Sequence, residues 1–317
     1  MNRAAANDLE SAAPRQSVIL VTGGDGFLGS RLLPLLARAI DGAQIIKIAR
    51  REKRGYDSSL PIRTIYGDLK DESLWAEIPE TITHVFHLAA VIPWQGEERH
   101  KATLTADNVS PLAHLIEYSR RWSNIQQIIY SSSVSVYSPT PDFLREDSPR
   151  QPTSLYGAAK LAGEELLKTL SARGLATVSL RLSSLYGFGQ YQGTVLPIMV
   201  KRALQKQELL IFGDGTRTQD FLHCEDAAQA HLLSFQKQAR GAYNVGTGTP
   251  VTMSELAQTV SRVFTEGKAP IVYQPEKGDG DPGLKLDITK ARRELNYEPS
   301  IPLESGLQKL KQELGAS

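Results

Sequence analysis

Tyr156 and Lys160 stand four residues apart in the run Tyr156-Gly157-Ala158-Ala159-Lys160. Positions i and i+4 share one helix face, so a helix here brings a phenol and an ammonium together. A free phenol has a pKa of about 10, too high for a good base near neutrality. A neighbouring cation stabilises the phenolate and is expected to lower that value. Such a pair can take a proton from an alcohol as hydride leaves, or return one to a carbonyl. Tyrosine and lysine meet at this spacing in many helices, and a serine cluster gives the pair its meaning. Ser131-Ser132-Ser133 closes an apolar run that reads as a strand. Ligands in open α/β sheets bind at the carboxyl ends of strands. Ser133 is therefore placed to hydrogen-bond the oxygen that Tyr156 protonates, with Ser132 beside it.

Hydride chemistry needs a carrier, and the chain provides a place for one. The β-branched run Ser17-Val18-Ile19-Leu20-Val21 leads into Thr22-Gly23-Gly24-Asp25-Gly26-Phe27-Leu28-Gly29. Gly23 permits a tight bend, Gly26 lets the backbone approach a pyrophosphate, and Gly29 allows close helix–strand packing. The helix N-terminus at Phe27 and Leu28 adds amide donors and partial positive charge. The second strand ends in Ile48-Ala49-Arg50-Arg51-Glu52. An acidic residue at the strand end would accept from the ribose hydroxyls of NAD. Ala49 occupies about that position, and the guanidinium groups of Arg50 and Arg51 suit a 2′-phosphate. NADP(H) is therefore expected over NAD(H). Asp68 and Leu69 follow the third strand, where a carboxylate can accept from the adenine amino group. Leu88, Ala89 and Ala90 follow the fourth, small enough to let a cofactor lie against the sheet. His84 and His87 point to opposite faces of that strand, so no metal site is expected.

The elements that must position these groups alternate. Strands are expected at 45–48, 62–66, 84–88, 125–131 and 175–182, with helical patterns at 28–40, 111–121 and 156–173. That rhythm predicts an α/β fold, a Rossmann-type doubly wound parallel sheet. Beyond Gly187 glycine, proline and charge become frequent, and helices are expected at 195–205, 254–264 and 288–295. The chain is read as a disordered extension over 1–16, a dinucleotide-binding domain over 17–187 and a smaller mixed α/β substrate lobe over 188–317. The last strands of the large sheet are expected to come from about 220–246.

Composition excludes other classes. Hydrophobic residues make up 41% and charged residues 22% of the 317, an ordinary globular balance. A net charge of +1 with scattered Lys and Arg gives no footprint for nucleic acid. No apolar run approaches the ~20 residues that span a bilayer, and the first 16 lack a signal-peptide core. The single cysteine, Cys224, rules out an intrachain disulfide framework and fits a cytoplasmic location.

In combination these motifs resemble the extended short-chain dehydrogenase/reductases, in particular the NAD-dependent epimerase/dehydratase family, from about Val18 to Leu307. The resemblance rests on the turn from Thr22 to Gly29, Gly67-Asp68-Leu69, His87-Leu88-Ala89-Ala90, Asn108, the serine cluster, Tyr156 with Lys160, and Leu185-Tyr186-Gly187. It continues through Phe212-Gly213-Asp214-Gly215, Asp220-Phe221-Leu222-His223, Glu225-Asp226 and Tyr243-Asn244-Val245-Gly246. It implies a catalytic triad of Ser133, Tyr156 and Lys160, with Lys160 also on the nicotinamide ribose and Asn108 among the cofactor residues. It implies a nucleoside-diphosphate sugar as substrate, with Ser184, Arg217 and Gln219 among its contacts, and a homodimer built on two helices per subunit. Two positions depart from the pattern: Gln219 and Glu276-Lys277 stand where arginines on the diphosphate are expected.

The same resemblance narrows the reaction. A sugar 4,6-dehydratase would carry Thr-Asp-Glu where this chain has Ser133-Val134-Ser135, so the acid and base for water elimination are missing. The expectation is epimerisation at a sugar carbon through a transient ketone. The alternatives are an NADPH-dependent ketoreductase of a keto-sugar or a non-sugar carbonyl, and a cofactor-binding protein without turnover, against which the intact triad argues.

Overall fold

The computed structural model describes residues 17–51, 60–92, 101–190, 193–278 and 282–315, with the side chains of 101 and 102 excepted. The expected N-terminal extension, Glu52 and Asp279 lie outside the described residues.

The strands are β1 (Val18–Thr22), β2 (Gln44–Ala49), β3 (Ile62–Tyr66), β4 (His84–His87), β5 (Gln127–Ser133), β6 (Phe143–Leu144), β7 (Ala176–Leu182) and β8 (Ser184–Tyr186). They continue as β9 (Leu209–Phe212), β10 (Thr218–Gln219), β11 (Phe221–His223), β12 (Gly241–Val245), β13 (Val251–Thr252), β14 (Ile271–Gln274) and β15 (Gly283–Leu286). The helices are α1 (Gly29–Ala39), α2 (Glu72–Ala76), α3 (Lys101–Ser119), α4 (Leu155–Ser171), α5 (Val195–Leu204), α6 (Cys224–Gln236), α7 (Met253–Thr265), α8 (Thr289–Leu295) and α9 (Leu303–Glu313).

Seven strands form one sheet in the order β12-β7-β5-β4-β1-β2-β3, and every pairing is parallel. The order reverses beside β1, whose neighbours are β2 and β4. At such a switch point the crossovers leave to opposite faces and a crevice opens at the strand ends. β1 shows why the sheet is buried on both sides. Ile19 and Val21 pack with Leu32, Leu33 and Leu36 of α1 and with Ala227 and Ala230 of α6. Val18 and Leu20 pack on the other face with Trp75, Leu112, Leu115 and Leu167. Alternate side chains feed two cores, and the result is a three-layer α/β/α body.

A third core, with Tyr186, Met199, Leu256, Val260 and Leu307, joins α5, α7 and α9. Around it lie the small sheet β13-β10-β15-β6 and the pairs β11–β8 and β14–β9. Two motifs of the second half tie this region to the large sheet. Asp220 is buried and accepts from the Thr247 and Gly248 amides and the Thr247 hydroxyl. Asp226 accepts from the amides of Ser300 and Ile301.

Four helices differ from the sequence expectation: α2, α6 and α9 fall outside the expected helices, and α3 starts early. α3 begins at Lys101, ten residues before Pro111, where the helical pattern was read to start. Proline removes a helix hydrogen bond and usually marks a first turn; here burial of Leu104, Leu112 and Leu115 holds the helix together across it. α6 had no apolar signature because its buried face includes Asp226, His231 and Ser234.

Candidate active site

The carboxyl ends of the strands open into a cleft of about 1440 Å³. Its floor at the switch point is the turn between β1 and α1. Gly23 has φ +72°, and a Cβ there would come within 2.7 Å of the Ala89 amide nitrogen. The turn and the loop after β4 are thus in backbone contact. A Cβ on Gly29 would collide with the Gly23 carbonyl oxygen, so close packing of α1 onto the turn requires glycine there. At Gly26 the added Cβ would meet only the Gly23 oxygen, at 3.0 Å, and otherwise project into the cleft. No side chain caps the N-terminus of α1. A concave, uncapped helix start with an open glycine fits a pyrophosphate.

Gly23, Gly26, Phe27, Leu28, Gly29, Arg50, Arg51, Asp68, Leu69, Leu88, Ala89 and Ala90 all line this cleft. Asn108 does not. Its side chain accepts from the Val91 amide and donates to the Val91 and Leu104 carbonyls, which fixes the course of the chain beyond Ala90. Arg50 and Arg51 are exposed at the rim, just past the end of β2.

Ser133, Tyr156 and Lys160 converge on the same cleft from β5 and α4. Ser154 caps α4 by accepting from the Gly157 amide at 3.1 Å, so Tyr156 falls in the first turn. Gly157 lets that turn approach β5, since a Cβ would run into the Ser135 carbonyl oxygen. Ser133 is the neighbour that favours ionisation of the Tyr156 hydroxyl. Ser133 Oγ also accepts from the Ser135 amide, at 3.1 Å, which holds its rotamer. Lys160 is 2% exposed; its Nζ donates to the Ser131 carbonyl at 2.7 Å and lies 4.8 Å from the Tyr130 ring centre and 5.7 Å from that of Tyr156.

Burial dominates the electrostatics. It pushes the Tyr156 phenol up to about 12, with Ser133 opposing, and Lys160 down to about 7. The expected lowering of the phenol by its neighbour is therefore outweighed. Lys160, with its Nζ 5.7 Å from the ring centre, does not offset the loss of water around the phenolate.

Ser132 lines the cleft, but its hydroxyl donates to Glu164 Oε1 at 2.6 Å. Glu164 in turn takes a two-point contact from Arg181, both side chains only 3% exposed. Ser184 and Gln219 also line the cleft and are hydrogen-bonded to each other. Arg217 is not in the lining and instead donates to Gln219 Oε1 at 2.9 Å. Lys277 lies 4.6 Å above the exposed Phe212 ring. Sequence reasoning missed Asp25, Ser154 and the start of α5 at Thr194 to Leu196, all in the cleft wall. Helical spacing had located α5, but which end faces the cleft depends on tertiary packing.

Known proteins share this architecture. UDP-glucuronate 4-epimerase 1 of Arabidopsis thaliana is 30% identical over 322 residues, spanning 92% of this chain and 75% of its own. A dTDP-glucose 4,6-dehydratase of Streptomyces niveus is 28% identical, over 91% of this chain and 90% of its own. The structure of UDP-glucose 4-epimerase from Thermotoga maritima, solved with UDP-glucose, matches with a TM-score of 0.84 and 29% identity, covering 94% of this chain and 98% of that one. A family model described as NAD dependent epimerase/dehydratase matches residues 19–246. That description carries a nicotinamide dinucleotide as cofactor and gives no support to the NADP(H) preference drawn from Arg50 and Arg51. By this match over most of its length, and by the glycine turn and the serine–tyrosine–lysine site that the fold brings into one cleft, the chain belongs to the NAD dependent epimerase/dehydratase family.

Proposed function

We propose that the protein inverts a hydroxyl-bearing carbon, C4, of a nucleoside-diphosphate sugar by oxidation to a ketone and reduction on the opposite face. The observation that carries this reading is the convergence of Ser133, Tyr156 and Lys160, the last two one helical turn apart, on the cleft that also holds the glycine turn. A bound nicotinamide dinucleotide supplies the hydride acceptor and donor; the Gly23–Gly29 turn, Asp68 and the Leu88–Ala90 segment would hold it, with Lys160 at its ribose. Tyr156 would take the C4 hydroxyl proton as the phenolate, a form that the positive charge of an oxidised nicotinamide would favour, and the phenol so formed returns the proton after the ketone has turned in the pocket. Ser133 donates a hydrogen bond to the same sugar oxygen and keeps it in reach of the phenol. Ser184 and Gln219 stand where the sugar nucleotide would be held.

The Streptomyces relative named above is a dehydratase, so similarity alone does not choose the reaction. The residues do. Val134 and Ser135 occupy the cleft wall directly after Ser133, and neither can serve as the acid or base of water elimination. Arg50 and Arg51 are the argument for NADP(H); exposed at the rim, they are screened by water, and NAD(H) is the cofactor proposed. The outer side of α4, with exposed Leu155 and Ala158 and half-buried Ala162, supports a homodimer through this helix, which sedimentation would detect.

The test is incubation with UDP-glucose, UDP-glucuronate, UDP-N-acetylglucosamine and dTDP-glucose, followed by NMR. One of them is expected to yield its 4-epimer without net dinucleotide consumption. Loss of water, or stoichiometric oxidation of added NADH or NADPH, would contradict the reading.

A further inference from the structure

β2 ends at Ala49 without an acidic side chain, yet a carboxylate lines the same cleft as that strand end. It comes from the glycine turn. Asp25 lines the cleft together with Ala49 and Arg50. Its Oδ1 is 2.6 Å from the Nζ of Lys47, whose side chain is 6% exposed. Lys47 and Ala49 are two residues apart on one strand and so share a face of the sheet. The turn crosses β2 at this point, for a Cβ built on Gly24 would come within 3.2 Å of Lys47 Cβ. Strand position 47 thus fixes an acid over the face of β2 that also carries position 49. A buried lysine is costly unless paired, and this pairing sets the direction of the Asp25 carboxylate.

We propose that Asp25, oriented by Lys47, selects the dinucleotide: it accepts hydrogen bonds from the adenosine ribose hydroxyls of NAD and repels the 2′-phosphate of NADP. The inference rests on the cleft being the dinucleotide site. The acid that reads a ribose commonly sits at the end of the second strand; here the turn supplies it instead. A carboxylate has about four lone-pair directions, enough to serve an ammonium and a vicinal diol together. Asp25 is half-buried, whereas Arg50 and Arg51 are exposed, so the repulsion is less screened than the attraction. Lys47 acts through Asp25 and is a positioning residue.

The test is calorimetric titration of the full chain, freed of any co-purified dinucleotide, with NAD, NADP and 2′-deoxy-NAD. Wild type is expected to bind NAD about 10-fold or more tighter than either of the others, the range of one hydrogen bond to a charged group. Asp25→Asn should reduce both ratios while keeping the side-chain volume. The double variant Asp25→Ala/Lys47→Leu removes the pair without stranding a buried charge, and it should bind NAD and 2′-deoxy-NAD alike. Unchanged ratios in both variants would overturn the proposal. So would an equal loss for all three ligands, which would mean that the pair only shapes the turn. If wild type bound none of them, the dinucleotide reading of the cleft itself would fall.

Discussion

At the scale of single residues the site is a balance between burial and charge. Tyr156 at about 12 and Lys160 at about 7 are each driven toward the neutral form. Tyr156→Phe should lower turnover by about 10²- to 10⁴-fold, the usual range for an acid–base group, with dinucleotide affinity changed less than about 3-fold. Undiminished turnover would remove the phenol from the mechanism. Lys160 makes a separate prediction about stability. Its folded value is about 7 against 10.5 for a free lysine, so between these values the unfolded chain holds more protons than the folded one. Stability from this group therefore rises with pH across that window. The urea midpoint should rise between pH 7 and pH 9, and Lys160→Met should flatten the rise. The chemical pair was legible in the sequence because its helical spacing, the serine cluster and the glycine turn point to one site. The sign of the Tyr156 shift was not, because it depends on how much water the folded protein removes. Asp25 escaped for a similar reason: a polar residue in a glycine turn looks solvated until Lys47 is seen beneath it.

At the scale of elements, the question is what holds α4 against the end of β5. Gly157 allows the approach and the Glu164–Arg181 pair fastens it, with Ser132 donating to Glu164 and Tyr137 receiving Arg181. Gly157→Ala should push the first turn of α4 from Ser135 and cost on the order of 10²-fold in turnover, because small misplacements of reacting groups are expensive. Wild-type kinetics in that variant would show that the close approach is not needed. Arg181→Met removes the two-point partner of the buried Glu164 carboxylate, leaving it Ser132 and Arg150 at 3.5 Å, and should destabilise the fold by up to about 3–5 kcal/mol in a urea titration. Of the sheet, the sequence revealed the strands whose side chains are apolar on both faces, such as β1. It concealed α6, whose buried side includes Asp226, His231 and Ser234, because periodicity cannot register polar groups that are satisfied only after folding.

At the scale of the whole molecule, seven parallel strands bring distant segments to one rim, and the reversal of order beside β1 places the glycine turn opposite Ser133. Alternation of strands and helices predicted this layout; the arrangement of the smaller sheets, set by two- to four-residue strands, was beyond pattern reading. Burial of histidines gives the molecule an acid limit. His84 and His231 are held down to about 4 and His87 to about 3 by burial. Their stabilising contribution is complete above the unfolded value of about 6.5 and is lost as pH falls toward 4. The urea midpoint should drop between pH 7 and pH 5, and a flat profile would count against neutral buried imidazoles. The central claim is inversion at one carbon with no net redox change. The most direct measurement is an NMR time course on UDP-glucuronate and UDP-glucose carrying deuterium at C4, with Tyr156→Phe in parallel. The account predicts a 4-epimer that keeps its deuterium at C4 and forms only with wild-type protein. Deuterium found in free reduced dinucleotide or at another sugar carbon, or equal product from Tyr156→Phe, would contradict it.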